Sequence, residues 1–213
     1  MSEPKESPTM PAAPLDRTIA DSNTGETLTF LETAAESSAD RVVMRLALAP
    51  GTVVRPHAHP TEEAFECQEG TVEFQLDGHP IELRSGSTVT VPPHRIHGLR
   101  NTSDQPAVLG IVATPGAEAE YGLRLKFLMS RDGYIPVPGS GPPKNVLLGA
   151  VVIQRGGLYF PPLPRWLFRL LMASLAALGR WRGREQFLRD RYPEYALFLD
   201  ALEAKAARTR AHP

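Results

Sequence analysis

The chain has 213 residues, 42% of them hydrophobic, with a formal net charge of −1, which allows one domain with a sizeable core plus an appended region. The single cysteine, Cys67, excludes an internal disulfide and is typical of a reducing compartment, so we expect a cytoplasmic protein. We expect no secretory signal. The sequence has no run of about 18 or more apolar residues, so we also expect no membrane-spanning helix.

Charge is distributed unevenly along the chain. Residues 1–154 carry 12 Lys/Arg and 19 Asp/Glu, a balance of −7, whereas residues 155–213 carry 11 Lys/Arg and 5 Asp/Glu, a balance of +6. This contrast indicates two regions with different surroundings. The basic residues of the second region are spread along apolar segments without a recognised nucleic-acid-binding motif, so we expect no nucleic-acid partner.

The first half of the chain, to residue 116, predicts an N-terminal arm and a β domain. Residues 1–24 are largely polar and begin with a proline-rich stretch, which predicts a disordered arm. Residues 25–116 contain short alternating apolar runs separated by glycine and proline, typical of an antiparallel sandwich or small barrel. The clearest predicted strands are 27–31, 42–48, 72–76, 81–83, 88–91 and 108–113.

Residues 117–213 predict a mainly helical extension. Helices are expected from about residue 117, over 146–154 after an N-capping Asn145, from about residue 164, and over 193–208. The first of these places Tyr121, Leu125, Leu128 and Met129 on one apolar face. Residues 132–144 are rich in glycine and proline and predict a loop.

Histidines are concentrated in one stretch of the β domain. His57 and His59 are two residues apart, so on a strand they share a face; Glu63 follows after a short turn, and His97 comes from a later strand. Ordinary loop or surface histidines are the alternative, but four polar side chains among apolar ones need partners. One divalent transition metal ion would supply them all. This nitrogen and oxygen donor set suits iron, manganese, nickel, copper or zinc.

Strand alternation extends this prediction to neighbouring residues. It places Val53 and Arg55 on the same inner face as His57 and His59. There Arg55 would pair with an anionic substrate, although solvation at the strand end is an equal alternative.

Alternation also selects between two adjacent glutamates. Glu63 faces inward together with Phe65 and Cys67, whereas Glu62 points to the opposite side. We interpret Cys67 as a small core residue rather than a nucleophile.

Two motifs in this stretch resemble the conserved patterns of the cupin superfamily. The first has matching spacing and comprises Gly51, His57, His59, Glu63 and Gly70. The second comprises Gly86, Pro92, His94, His97 and Asn101. His94 stands where the family usually has glycine, so we expect a positive φ or a different turn at that position.

The resemblance implies a mainly β fold, a cupin (RmlC-like jelly-roll) antiparallel β-barrel, with an α-helical C-terminal extension. It implies one metal ion bound by His57, His59, Glu63 and His97 with coordination positions left open, and it points to a homodimer. The activity it implies is a dioxygenase of quercetinase type acting on a small molecule, with Glu63 able to change from ligand to base. Alternatives are a non-redox isomerase or lyase, and a small-molecule binding module without catalysis.

Two further features have two interpretations each. His94 would line the pocket mouth and carry protons as a catalytic residue, or it would be exposed without a role. The apolar segment from Trp166 to Trp181, bordered by arginines, would pack on the barrel or a second subunit. Its alternative is weak contact with an anionic membrane surface.

Overall fold

The computed structural model describes residues 15–135 and 145–211. Within these ranges the chain forms ten strands followed by five helices. The strands are β1 (Thr18–Asp21), β2 (Glu26–Glu32), β3 (Val42–Leu48), β4 (Val53–His57), β5 (Glu62–Glu69), β6 (Thr71–Leu76), β7 (His79–Arg84), β8 (Thr88–Val91), β9 (His97–Arg100) and β10 (Ala107–Thr114). The helices are α1 (Gly116–Arg131), α2 (Val146–Gly156), α3 (Arg165–Trp181), α4 (Arg184–Arg191) and α5 (Pro193–Ala211).

The strands form two antiparallel sheets that enclose one core. The six-stranded sheet has the order β1-β2-β3-β10-β5-β8, and the four-stranded sheet has the order β4-β9-β6-β7. Alternate side chains of both sheets fill the space between them, among them Met44, Phe65, Phe74 and Leu109. The predicted fold class is therefore confirmed: a jelly-roll β-barrel followed by C-terminal helices.

The sheet begins earlier than the sequence predicted. β1 lies inside the segment expected to be a disordered arm, and it pairs with β2 from Thr18↔Thr29 to Asp21↔Glu26. Ile19 is buried in the barrel core, which holds this four-residue strand in place. Residues 1–14 of the predicted arm and residues 136–144 of the predicted loop lie outside the described residues.

Helix α1 is buried on two sides. The predicted face is found in a second core formed by the helices, where Leu125 and Met129 are fully buried. Phe127, which falls off that face, packs instead into the barrel core. Because α1 contributes to both cores, it lies between the barrel and the other helices, and a single-face pattern does not describe it.

A buried ion pair fixes α1 to the barrel. Arg124 is 1% exposed, and its Nε donates to Glu120 Oε1 at 2.9 Å. The guanidinium carbon lies 3.9 Å from the centre of the Phe30 ring on β2. Glu120 Oε2 in turn accepts a hydrogen bond from the backbone N–H of Ala34 at 2.7 Å. Both charges are partnered, as burial requires.

The remaining helices pack against one another. Asn145 caps α2 as predicted, since its side chain accepts a hydrogen bond from the N–H of Leu148 at 3.1 Å. Helix α4 was not predicted because its sequence is strongly charged and only Leu188 is fully buried. Among the described residues, no helix combines the length and apolar character needed to cross a membrane.

The close approach of α1 to the barrel predicts an effect of Gly116→Ala. A Cβ at Gly116 would lie 2.3 Å from the carbonyl carbon of Arg41, a backbone atom that cannot move aside alone. We expect this substitution to lower the free energy of unfolding by about 1–3 kcal/mol. Gly149→Ala in α2 is the control. No atom lies within 4 Å of its added methyl group, and alanine is more favourable than glycine in a helix by about 1 kcal/mol, so this variant should not be destabilised. Denaturant unfolding measures both, and a wild-type midpoint for Gly116→Ala would contradict this packing.

Candidate metal centre

Four polar side chains predicted to act together converge at one end of the barrel. His57 ends β4, His59 follows it, Glu63 lies on β5 and His97 begins β9. His57 and His97 face each other as paired residues of neighbouring strands. One ring nitrogen from each histidine lies within 4.8 Å of one from the other two, so the three histidines can hold a metal ion.

Glu63 adds a carboxylate to the three imidazoles. Its Oε2 lies 3.3 Å from His59 Nε2 and 3.3 Å from His97 Nε2. Glu62 is exposed on the opposite face of β5, while Glu63 is buried. The structure therefore places inside the barrel the glutamate that alternation selected.

Backbone carbonyls orient all three rings. The Nδ1 atoms of His57, His59 and His97 lie 2.8, 3.1 and 3.1 Å from the carbonyl oxygens of Arg55, Thr61 and Arg95, respectively. A carbonyl oxygen only accepts hydrogen bonds, so in each ring Nδ1 carries the proton. Nε2 then holds a lone pair, the form in which histidine binds metals.

The environment of His97 Nε2 tests whether these residues fit a metal. This atom is buried and has no hydrogen-bond partner, although Glu63 Oε2 lies 3.3 Å away. With the proton on Nδ1, a lone pair of His97 faces an acceptor oxygen, an unfavourable buried contact. A divalent cation between the two atoms would satisfy both, so the donor set fits such an ion.

The charges of the cluster favour the same conclusion. Burial raises the pKa of Glu63, but the adjacent imidazoles of His59 and His97 outweigh it and hold this pKa well below its usual range. Burial and the neighbouring His97 and His59 lower the pKa of His57 to about 3. Burial also lowers the pKa of His59, but attraction to Glu63 more than offsets this and raises it. The anionic Glu63 and neutral His57 at neutral pH are the protonation states of metal ligands.

Aromatic side chains surround the histidines. Phe74 stacks on His97 with ring centres 6.4 Å apart, and the ring of Phe65 lies 6.3 Å from that of His97. On the other side, Phe160 stacks on His57 at 6.1 Å. The cluster is therefore held in largely apolar surroundings that limit the access of water.

Cys67 is a core residue rather than part of the cluster. It is fully buried among the apolar side chains of the barrel, and its Sγ lies 3.5 Å from the carbonyl oxygen of Gly70. Burial raises the pKa of its thiol, which disfavours the nucleophilic thiolate. This agrees with the interpretation drawn from alternation.

The prediction that Val53 and Arg55 face inward is wrong. Both side chains are exposed, and Val54 packs against the core in their place. The pairing of β4 with β9 shifts register between Val54 and His57, so strict alternation is lost before the histidines. Arg55 therefore contributes its carbonyl oxygen to His57 and not its guanidinium to a substrate.

His94 lies at the rim of the barrel end that carries the cluster, and it is not part of the group formed by His57, His59 and His97. Its φ of 66° confirms the positive value expected at a position usually occupied by glycine. Its N–H donates to the carbonyl oxygen of His59 at 2.7 Å, so the turn supports the strand end that carries a cluster residue. The side chain is exposed and lines a cavity outside the cluster.

Residues 157–164, between α2 and α3, and Arg165 at the start of α3 complete the mouth of the barrel. Ala58 and Tyr159 form an isolated β-bridge with two hydrogen bonds of 2.9 Å, and Phe160 follows against His57. Arg165 donates a hydrogen bond to the carbonyl oxygen of His94. The contact of this segment with the barrel was not predicted. The one feature of the sequence that indicates it is the adjacent aromatic pair at 159–160, which precedes a proline-rich stretch.

The cavity beside this segment has a volume of about 660 Å³. The turns after β4 and β8 form one wall, and α2, α3 and their connection form the other. The lining includes Pro60, His94, Tyr159, Arg165 and Arg169. It therefore combines apolar surface with two arginines, and its lining includes Ala58, between His57 and His59, but none of the four cluster residues.

The two motifs are joined by Asn101. The N–H of Gly51 donates to the carbonyl oxygen of Asn101 at 2.9 Å, and the N–H of Asn101 donates to that of Thr52 at 3.0 Å. The start of the first motif is thus bonded to the end of the second, which brings β4 and β9 together.

Comparison with known proteins identifies the β domain. Residues 44–113 match the family model described as the cupin domain, and this segment contains all four residues of the cluster. The barrel has the cupin fold, and the sequence similarity to that family extends over residues 44–113. No curated protein matches the chain.

Solved structures of similar fold cover less than half of the chain. An RmlC-like cupin from Shewanella frigidimarina is 22% identical over 48% of this chain and 86% of its own, with a TM-score of 0.42. The polyketide cyclase RemF from Streptomyces resistomycificus is 20% identical over 47% and 78% of the two chains, with a TM-score of 0.41. A predicted oxalate decarboxylase from Thermotoga maritima is 19% identical over 41% and 78%, with a TM-score of 0.40. These similarities concern the fold alone.

The bonds of Asn101 predict a structural role for this motif residue. Its buried side-chain amide donates to the carbonyl oxygens of Leu48 and Gln105 at 3.2 and 2.8 Å, and its Oδ1 accepts from Ser103. We expect Asn101→Ala to lower the free energy of unfolding by about 2 kcal/mol, because buried carbonyl groups lose their donor. Ser103→Ala, at the more exposed end of the same network, should lower it by less than about 1 kcal/mol. Equal denaturation midpoints for the two variants would contradict this assignment.

Proposed function

We propose that this chain is a metal-dependent enzyme that acts on a small organic molecule. One divalent transition metal ion is bound by His57, His59, Glu63 and His97. The observation that carries the proposal is the grouping of three imidazoles, two of them with Nε2 3.3 Å from Glu63 Oε2, with His97 Nε2 buried and lacking any hydrogen-bond partner. A buried donor set of this kind is unfavourable without a cation.

Within this proposal the activity is that of a dioxygenase of quercetinase type. When bound, the ion supplies Lewis-acid polarisation of an enol or carbonyl oxygen and, if it is iron, manganese, nickel or copper, electron exchange with dioxygen. Support comes from the resemblance of both motifs to the cupin patterns and from the aromatic walls, Phe65, Phe74 and Phe160, which suit an apolar substrate.

The residues of the chain have distinct roles in this reaction. The carbonyl oxygens of residues 55, 61 and 95 keep the three imidazoles in one orientation, which removes the need for reorganisation during the reaction. Glu63 Oε2 accepts the proton of an enolisable substrate, because it is the carboxylate directed at the cluster. Phe74 and Phe160 exclude water from opposite sides.

The cavity of about 660 Å³ at the rim is the proposed route and binding space for the substrate. Its volume lies within the range of about 300–1,000 Å³ found for small-molecule sites. His94 lines it and would exchange protons with solvent during turnover, whereas Arg165 and Arg169 favour a substrate with an anionic group.

Metal content and thermal stability test the binding part of the proposal. We expect about one transition metal ion per purified chain, and a rise in Tm of several degrees when the preferred ion is added in large excess over Kd. His57→Ala should lose both the ion and the rise. His79→Ala is the matched control, because His79 is exposed on β7 and belongs to neither motif. Elemental analysis and a thermal-shift series provide the measurements, and equal metal content in His57→Ala and wild type would contradict the site.

Oxygen uptake tests the chemical part. With flavonols and β-dicarbonyl compounds as candidates, we expect dioxygen consumption in air and no turnover under nitrogen. Glu63→Gln should lower the rate by about 10²–10⁴-fold, because the proton acceptor is lost, and its metal content is measured as well because Glu63 is also a proposed ligand. His94→Ala should lower it less and shift the pH profile, because the residue lies at the rim.

The other outcomes distinguish the rival functions. Turnover that persists under nitrogen would contradict the oxygenase and indicate an isomerase or lyase. Saturable binding of a candidate without turnover in either atmosphere would indicate a binding module.

A further inference from the structure

Helix α3 has two unlike sides. Phe168, Ala176 and Gly179 are buried, and Gly179 lies so close to α2 that an added Cβ would meet the carbonyl oxygen of Leu147 at 2.9 Å. The opposite side is exposed but apolar. We call it the α3 apolar face, and it comprises Trp166, Leu170, Leu171, Leu178 and Trp181.

The α3 apolar face forms one stripe along the helix, with the exposed Ser174 as a polar residue near its centre. At about 100° per residue, its five side chains fall within an arc of about 140° on the side away from α2. Trp166 is 69% exposed, Leu170 60% and Trp181 80%. The packing expected from the sequence therefore accounts only for the buried side of α3. An exposed patch of large apolar side chains, such as the one on the opposite side, marks an interaction site.

The charges around this face have one sign. Residues 163–184 contain five arginines and no Asp or Glu. On the helical wheel, Arg169 and Arg180 border the Trp166 edge of the face and Arg182 follows the Leu171 edge. In the part of the chain that the structure describes, Arg169 and Arg182 form no ion pair with a carboxylate. The partner of this face must therefore be apolar at its centre and negatively charged around it.

We infer that the α3 apolar face binds an anionic lipid surface, with α3 lying parallel to the membrane plane. Tryptophan favours the boundary between headgroups and acyl chains, and Trp166 and Trp181 stand at the two ends of the face, about 22 Å apart along the axis. The leucines between them enter the acyl region. Arg180 and Arg182 extend from the two borders to lipid phosphates, whereas Arg169 lines the rim cavity.

A second copy of the chain is a poorer partner for the same face. An α3 from another copy would bring the same arginines and no carboxylate, so like charges would meet at the borders. The homodimer expected from the cupin resemblance stays a prediction, and this surface does not favour it.

Vesicle binding tests the inference directly. The two tryptophans of the chain both lie on the α3 apolar face, so their fluorescence reports on this face alone. We expect the full chain to sediment with vesicles of equal parts phosphatidylcholine and phosphatidylglycerol, with a blue shift of its emission. Binding to pure phosphatidylcholine should be weak, and added salt should reduce binding to the anionic vesicles.

Leu170→Glu is the decisive variant, because it places a negative charge at the centre of the face. It should weaken binding to anionic vesicles by roughly tenfold or more. Leu31→Glu is the matched control, since Leu31 is 54% exposed on β2, away from α3, and should bind as wild type. Circular dichroism checks that both variants are folded.

Three outcomes would overturn the inference. They are equal vesicle binding by Leu170→Glu and Leu31→Glu, binding that is independent of lipid charge, and failure of the wild type to bind either vesicle. A lipid-free dimer by light scattering that Leu170→Glu dissociates would assign the face to a second copy instead. None of these results depends on bound metal, so the test is independent of the proposed function.

Discussion

The packing of four polar side chains in one end of an apolar barrel, with Glu63 and His97 buried, is the constraint on which the site depends. Each buried nitrogen or oxygen needs a partner. Backbone carbonyls partner the Nδ1 atoms of the three histidines and leave the Nε2 atoms directed inward. Glu63 lies between two of them, and His97 Nε2 has no hydrogen-bond partner. The same strands that close the barrel therefore produce an arrangement suited to a cation.

The helical region is connected to this site rather than simply appended to the barrel. Helix α1 shares residues with both cores and is bonded to the barrel by the buried pair of Arg124 and Glu120. The segment before α3 adds Tyr159 to the edge of β4 and places Phe160 on His57. Helix α3 then lines the rim cavity on one side and carries its exposed apolar face on the other.

The barrel positions the histidine cluster, and within the proposed function the groups around the cluster determine which chemistry occurs. Barrels of one fold support unrelated reactions, so function depends on the groups around the cluster. Here those groups are aromatic residues, a rim histidine and two arginines of α3. The rim cavity is formed jointly by the barrel and the helices, and for this reason the helical region belongs to the description of the proposed active site.

The sequence alone was sufficient to predict the barrel, the four residues of the cluster and the choice of Glu63 over Glu62. Alternation succeeded on β5 because the pairing of this strand is regular on both sides. It pairs with β10 from Glu63 to Cys67 and with β8 from Glu63 to Glu66. Motif spacing succeeded because it records which strand ends meet. Both are properties of short stretches of chain.

The tertiary structure decided what depends on contacts between distant residues. The register shift of β4 arises in its pairing with β9, so the exposure of Arg55 could not follow from local alternation. The burial of α1 on two sides, the strand β1 and the docking of Tyr159 on Ala58 each require a partner far along the chain. The exposed side of α3 belongs to the same class, because an apolar pattern predicts burial and only the packed structure shows which side remains uncovered.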